Sequence, residues 1–193
     1  MREKNDERRQ RIIDATATMI ITVGISGVTM AKVATAVGIS QSNIYIYFKN
    51  KDDLIKQTFL SAKQLMIDYL LAYFDASAGP LVNIEMFLRS LYQFATDQPV
   101  ATSLIVQIEY SPILSTLEMD HEETFLDFKY IEDEVKKGIA SGELRPMSPN
   151  VLLGMGLSTI VSYAQAIRMN QADPVRSPLS GVIEMIMAGL KRP

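Results

Sequence analysis

Cysteine is absent from the 193 residues, so the chain has no disulfide framework, no thiolate metal site and no thiol nucleophile. Histidine occurs once, at His121. A single imidazole cannot build a multi-histidine metal centre, and it leaves few routes to general-base catalysis near neutral pH. Glu118 and His121 have the spacing of one half of a di-iron helix motif, but the other half needs a second histidine. His121 is therefore expected at the surface or in a pocket, with no metal and no cofactor. An enzyme is disfavoured, because no nucleophile–base or metal set can be assembled.

Long apolar runs are missing as well. The longest uncharged stretch, 146–167, contains Asn150, Ser158, Thr159, Ser162, Tyr163 and Gln165, with two prolines near its start. A membrane span needs about 20 mainly apolar residues, so this stretch reads as a buried or dimer-forming helix. The opening residues, MREKNDERRQR, have no apolar core and do not resemble a secretory leader. A cytoplasmic protein without a membrane partner is expected.

What the chain does have is an uneven charge. Residues 1–51 carry eight Lys/Arg against four acids, and the remaining residues carry eleven against eighteen, for an overall net charge of −3. A basic head on an acidic body suits a polyanion reader joined to something else. A chance excess of four charges is the plain alternative.

Apolar residues recur at helical spacing almost throughout. Ile12, Ala15, Met19, Ile20 and Val23 share one face of a helix that starts near Arg9 and stops at Gly24. Thr29 fits as the N-cap of a short helix ending at Gly38, and Ser40 as the cap of another over Gln41 to Phe48. Asn50 precedes Lys51-Asp52-Asp53, placing carboxylates in the first turn of a fourth helix that runs to about Asp75. Pro80, Pro99, Pro149 and Pro178 stand at plausible helix starts. Ser115-Thr116-Leu117-Glu118 reads as a capping box opening a long helix to about Ala140, and Pro112 should break the helix before it. The expectation is an all-α chain of about nine helices, with a three-helix head over 1–50 and a body over 51–193.

Residues 29–48 have the anatomy of a helix-turn-helix, with Gly38 permitting the sharp turn. In the second helix Ile44 and Phe48 share an inward face, while Ile46 centres the opposite one beside Ser42 and Asn43. Gln41 stands at the N-terminal tip, and Tyr45 and Tyr47 flank the inward face. Amide, hydroxyl and phenol groups there suit base edges and phosphates, and a solvent-facing Ile46 suits a thymine methyl.

The stretch from Ile39 to Leu54, ISQSNIYIYFKNKDDL, resembles the TetR family of bacterial repressors, whose aromatic-rich recognition helix is followed by Phe-x-x-Lys-x-x-Leu. Ile12-Ile13-Asp14-Ala15, Ala17, Gly24 and Val28 to Ala34 also match, so the resemblance covers about residues 8–60. It implies that Thr29 and Lys32 touch phosphate and that Ser40, Gln41, Ser42 and Asn43 enter the major groove. It further implies that Tyr45 and Tyr47 brace flanking phosphates and that Lys51 adds one more contact. Position 42 is Ser where the family often has Gly, and Ile46 replaces a commoner Tyr, which bears on the operator sequence. The implied function is a repressor on an inverted-repeat operator in double-stranded DNA, released by a small-molecule effector.

For the effector, the apolar and aromatic side chains Met66, Tyr69, Leu91, Phe94, Leu104, Ile108, Phe125, Phe128 and Tyr163 are the candidate pocket, with Gln107, Glu109 and Tyr163 as its polar groups. A buried Glu109 would favour an apolar or cationic effector. The last two helices, about 149–170 and 178–191, are apolar on more than one face, Ile186 included, and should form a homodimer interface. The alternative is a helical small-molecule carrier without specific DNA binding.

Overall fold

The computed structural model describes residues 2–117, 119 and 128–193. Among them are nine α-helices and no strand, only an isolated bridge between Leu144 and Lys191. Phe125, Glu118 and His121 lie outside the described residues. The helices are α1 (Arg2–Gly27), α2 (Met30–Val37), α3 (Gln41–Ile44), α4 (Lys51–Leu71), α5 (Pro80–Asp97), α6 (Pro99–Glu109), α7 (Lys129–Ala140), α8 (Pro149–Arg168) and α9 (Leu179–Leu190). They cluster into two compact units, Met1–Leu65 with Val100–Thr124 and Met66–Pro99 with Phe125–Pro193. The unbroken α4 contributes residues to both.

In the first unit, local chemistry sets the helix ends. Gly24 has φ 75° and interrupts α1 where the pattern stops. The Thr29 hydroxyl accepts from the Lys32 amide at 3.2 Å, which caps α2. At the other end Gly38 is left-handed, with φ 72° and ψ 36°. The Gly38 and Ile39 amides then reach back to the carbonyls of Thr35 and Ala34, the paired bonding of a Schellman stop. Asn50 Oδ1 accepts from the Asp53 amide, while Asp53 accepts from the Lys49 amide. Ile12, Ile20, Val33, Ile44, Phe48, Leu54 and Phe59 are buried in this unit.

Two expected helices have different limits. The Ser40 side chain does not cap α3 but pairs with Ser42 Oγ at 2.9 Å. Without that cap, and with β-branched and aromatic residues ahead, α3 closes after Ile44 and residues 45–47 continue as a turn. No helix opens at Ser115. Ser111 and Pro112 start a 3₁₀ turn over Pro112–Thr116, in which the Ser115 and Thr116 hydroxyls donate to the carbonyls of Pro112 and Ile113. Glu118, the other half of the expected capping box, lies outside the described residues.

In the second unit α5 packs against α7, α8 and α9. Gly156 of α8 is required for close approach, since a Cβ there would lie 3.0 Å from a Leu88 methyl. Glu134 is buried yet satisfied, accepting from Asn83 Nδ2 at 3.1 Å and Lys137 Nζ at 2.6 Å. Tyr130 packs edge-on against Phe74, and its buried hydroxyl has no hydrogen-bond partner among the described residues. Desolvation pushes that phenol's pKa well up. Tyr130→Phe is therefore expected to raise folding stability by about 1 kcal/mol. Above the ordinary phenol value of 10.0 the unfolded chain ionises while the folded chain does not. Stability should thus fall as pH rises there, and the variant should lose Tyr130's share of that slope. Denaturant titrations at neutral and alkaline pH check both.

Candidate nucleic-acid interface

The first unit presents one continuous polar and aromatic segment. Ser40, Gln41 and Ser42 are exposed, Asn43 is half-buried, and Ile44 and Phe48 are fully inward. Tyr45 is 50% exposed and Ile46 71% exposed, an unusual outlay of apolar surface for a short turn. Tyr47 is half-buried, and its hydroxyl donates to Asn5 Oδ1 at 2.5 Å. Thr29 and Lys32 are exposed at the start of α2, with Lys32 Nζ donating to the Gly27 carbonyl at 3.1 Å. Lys51 is half-buried at the first position of α4. The expected residues thus fall on the α2 start, the α3 segment and the α4 start.

The N-terminal half of α1 braces this segment, which the sequence pattern did not disclose. The Arg9 guanidinium donates to Gln57 Oε1 at 2.8 Å and lies 5.5 Å from the Phe48 ring centroid. Arg11 donates to the Val37 carbonyl, the last residue of α2. Basic residues that composition assigns to a polyanion surface are here partly spent on holding the turn.

Residues 12–58 match the family described as "Bacterial regulatory proteins, tetR family". Across those residues, which run from α1 into α4, the chain is similar to the TetR family. An uncharacterised HTH-type transcriptional regulator of Haemophilus influenzae is 23% identical over 184 residues, which span 95% of this chain and 96% of that protein. The transcriptional regulator RutR of Escherichia coli K12 is 25% identical over 166 residues, spanning 81% and 74%. A TetR family transcription regulator from Marinobacter aquaeolei VT8 has the same fold, with a TM-score of 0.88, 19% identity and all of both chains covered. The basic head is thus similar to that of DNA-binding, helix-turn-helix transcriptional regulators.

The expected effector residues divide between the two units. Leu104 and Ile108 are buried on α6, but Gln107 and Glu109 are exposed, because they lie off the phase of Leu104, Ile105 and Ile108. The expected buried carboxylate at position 109 is therefore not found. In the second unit Met66, Leu91 and Phe94 are buried, and Tyr69 stands edge-on to Phe94 at 5.5 Å. Phe128 packs edge-on against Phe87. The Tyr163 hydroxyl donates to the Ser177 carbonyl at 2.6 Å, and desolvation, with Tyr92 alongside, raises its pKa. Two cavities, of about 780 Å³ between α1 and α2 and about 370 Å³ between α5 and α9, are lined by none of these residues. The buried cation that sequence reasoning missed is Lys63, 3% exposed on α4 with its amine 5.4 Å from the Phe59 ring centroid.

Proposed function

We propose that this regulator is a repressor that binds an inverted-repeat operator as a homodimer and is released by a small, mainly apolar effector. Residues 1–50 are the reading head, and 51–193 bind effector and partner subunit. The observation that carries the DNA-reading part is the exposed Ser40–Gln41–Ser42 tip followed by solvent-facing Ile46, backed by fully buried Ile44 and Phe48. That arrangement offers hydrogen-bonding groups and one methyl-rich contact to a major groove. Exposed Glu109 leaves a preference for cations without its buried carboxylate, so the effector is defined here by apolar character alone.

Support for the dimer comes from α8 and α9. The α8 helix has a mean hydropathy of 1.3 across its most apolar window, of which 28% is buried within the chain. Val151 and Met155 on α8 and Met185 on α9 are 46%, 55% and 66% exposed. Val151 and Met155, four residues apart, share a stripe with Ser158 and Ser162. A partner subunit covering that stripe would remove this apolar surface from water.

Release needs a ligand that binds the DNA-incompetent arrangement better than the competent one. The α4 helix begins with Lys51 beside the head and reaches Leu71 without a break, so a shift of its last turns carries to the reading segment. The test is a thermal-shift screen of neutral lipophiles, apolar cations and organic anions. Each stabilising compound is then titrated against a complex with a duplex selected from a random pool. A neutral lipophile is expected to release the duplex, and the duplex to weaken that ligand by the same factor. Stabilising ligands that leave duplex affinity unchanged would remove the effector from the reading.

A further inference from the structure

The bond between Tyr47 and Asn5 bears on how the protein holds the DNA backbone. A phenol has one proton to give, and Tyr47 gives it to Asn5 Oδ1. Its oxygen then offers a phosphate only lone pairs, which repel. The Asn5 amide nitrogen, by contrast, carries two N–H donors with no acceptor among the described residues, and Asn5 is exposed. Arg8 lies three residues further along α1, on the same face, and is also exposed. Its neighbours Arg9 and Arg11 are engaged with Gln57, Phe48 and the Val37 carbonyl. Arg8 has no ion pair among the described residues.

We propose that Asn5 and Arg8, on the first turns of α1, form a DNA-phosphate site, and that Tyr47 is its positioning residue rather than a phosphate contact. The hydrogen bond fixes the Asn5 carbonyl toward the protein and so turns the amide N–H groups outward. Arg8 adds the charge. A phosphate seated there would tie α1 and the end of the recognition segment to the same strand. The proposal rests on the DNA-binding role of the head, but not on sequence-specific reading, since a phosphate carries no sequence information.

The experiment is a fluorescence-anisotropy titration of the full-length protein with a selected and an unselected duplex over a range of salt. Asn5→Ala and Tyr47→Phe should each weaken binding by the same factor, roughly tenfold, as for one lost hydrogen bond to a charged group. The double variant should be no weaker than either single one, because both remove one contact. Asn5→Asp, which keeps an acceptor for Tyr47 but sets a negative charge against the phosphate, should bind more weakly than Asn5→Ala. Arg8→Ala should lower the log–log salt slope by about 0.9, while Asn5→Ala leaves it unchanged. Unselected duplex should show the same losses. The proposal is overturned if Tyr47→Phe weakens binding and Asn5→Ala does not, if the two losses add, or if Arg8→Ala leaves the slope intact. Thermal unfolding of each exposed-site variant should match the parent, so that a binding loss cannot be a folding loss. Failure of selection, with these losses intact on unselected duplex, would count against the operator reading alone.

Discussion

Met155→Glu combined with Met185→Glu should convert the protein from dimer to monomer in solution. Both side chains are more than half exposed on apolar helices of one chain, so the substitutions leave the chain's own core intact. In a two-fold interface each appears twice, and four carboxylates would have to be covered without partners. At a cost on the order of several kcal/mol for each buried unpaired charge, the dissociation constant should rise by at least about a thousandfold. Sedimentation equilibrium across a concentration series reads this directly. A variant that keeps the parent's dimer mass would place the interface elsewhere. Ile186→Glu is not an equivalent probe, although the apolar pattern nominates Ile186 equally. That side chain is 9% exposed, and its methyl lies 3.7 Å from the Cβ position of Gly156, so a charge there disrupts α8–α9 packing within the chain.

Phe48→Ala should abolish duplex binding while the dimer persists. Phe48 is 1% exposed and sits with Ile44 beneath the recognition segment, under the Arg9 guanidinium. Removing a buried phenylalanine ring costs about 3–5 kcal/mol, and a head of this size has little core in reserve. The second unit has its own core, with Ile84, Leu88, Leu91, Phe94 and Ile160 buried, and should keep its helices. Circular dichroism is expected to show a partial loss of helix, with duplex affinity falling below detection and solution mass unchanged. Retained duplex affinity would show that the reading segment does not depend on this core.

These outcomes follow from features of unequal visibility in the sequence. The ends of α2 and the start of α4 were legible because Thr29, Gly38 and Asn50 act on their own neighbours through short-range hydrogen bonds. The inward pair Ile44 and Phe48 and the outward Ile46 followed from helical phase alone. The length of α3 did not, because Ser40 had a competing partner in Ser42. At Ser115 a 3₁₀ turn stands where a helix start was expected, with the Ser115 and Thr116 hydroxyls bonded to carbonyls within it. The expectation of a buried Glu109 gives way to helical phase. The phase of Leu104 and Ile108 turns it outward. Lys63 was passed over because a lysine defaults to solvent, although it lies four residues from Phe59 and three from Met66 on the buried face of α4. The bracing of the reading segment by Asn5, Arg9 and Arg11 spans contacts up to 48 positions apart, and no local pattern encodes them.

The central claim is that this protein reads a specific DNA sequence. The most direct measurement selects duplexes from a random pool and compares the affinity of the best one with that of unselected duplex at a single salt concentration. The account predicts an inverted repeat whose half-site centres lie about one helical turn apart or somewhat more. It predicts an affinity ratio of at least about a thousandfold, and a salt slope that falls by about 0.9 in Lys51→Ala. Equal affinity for the selected and unselected duplexes would contradict it.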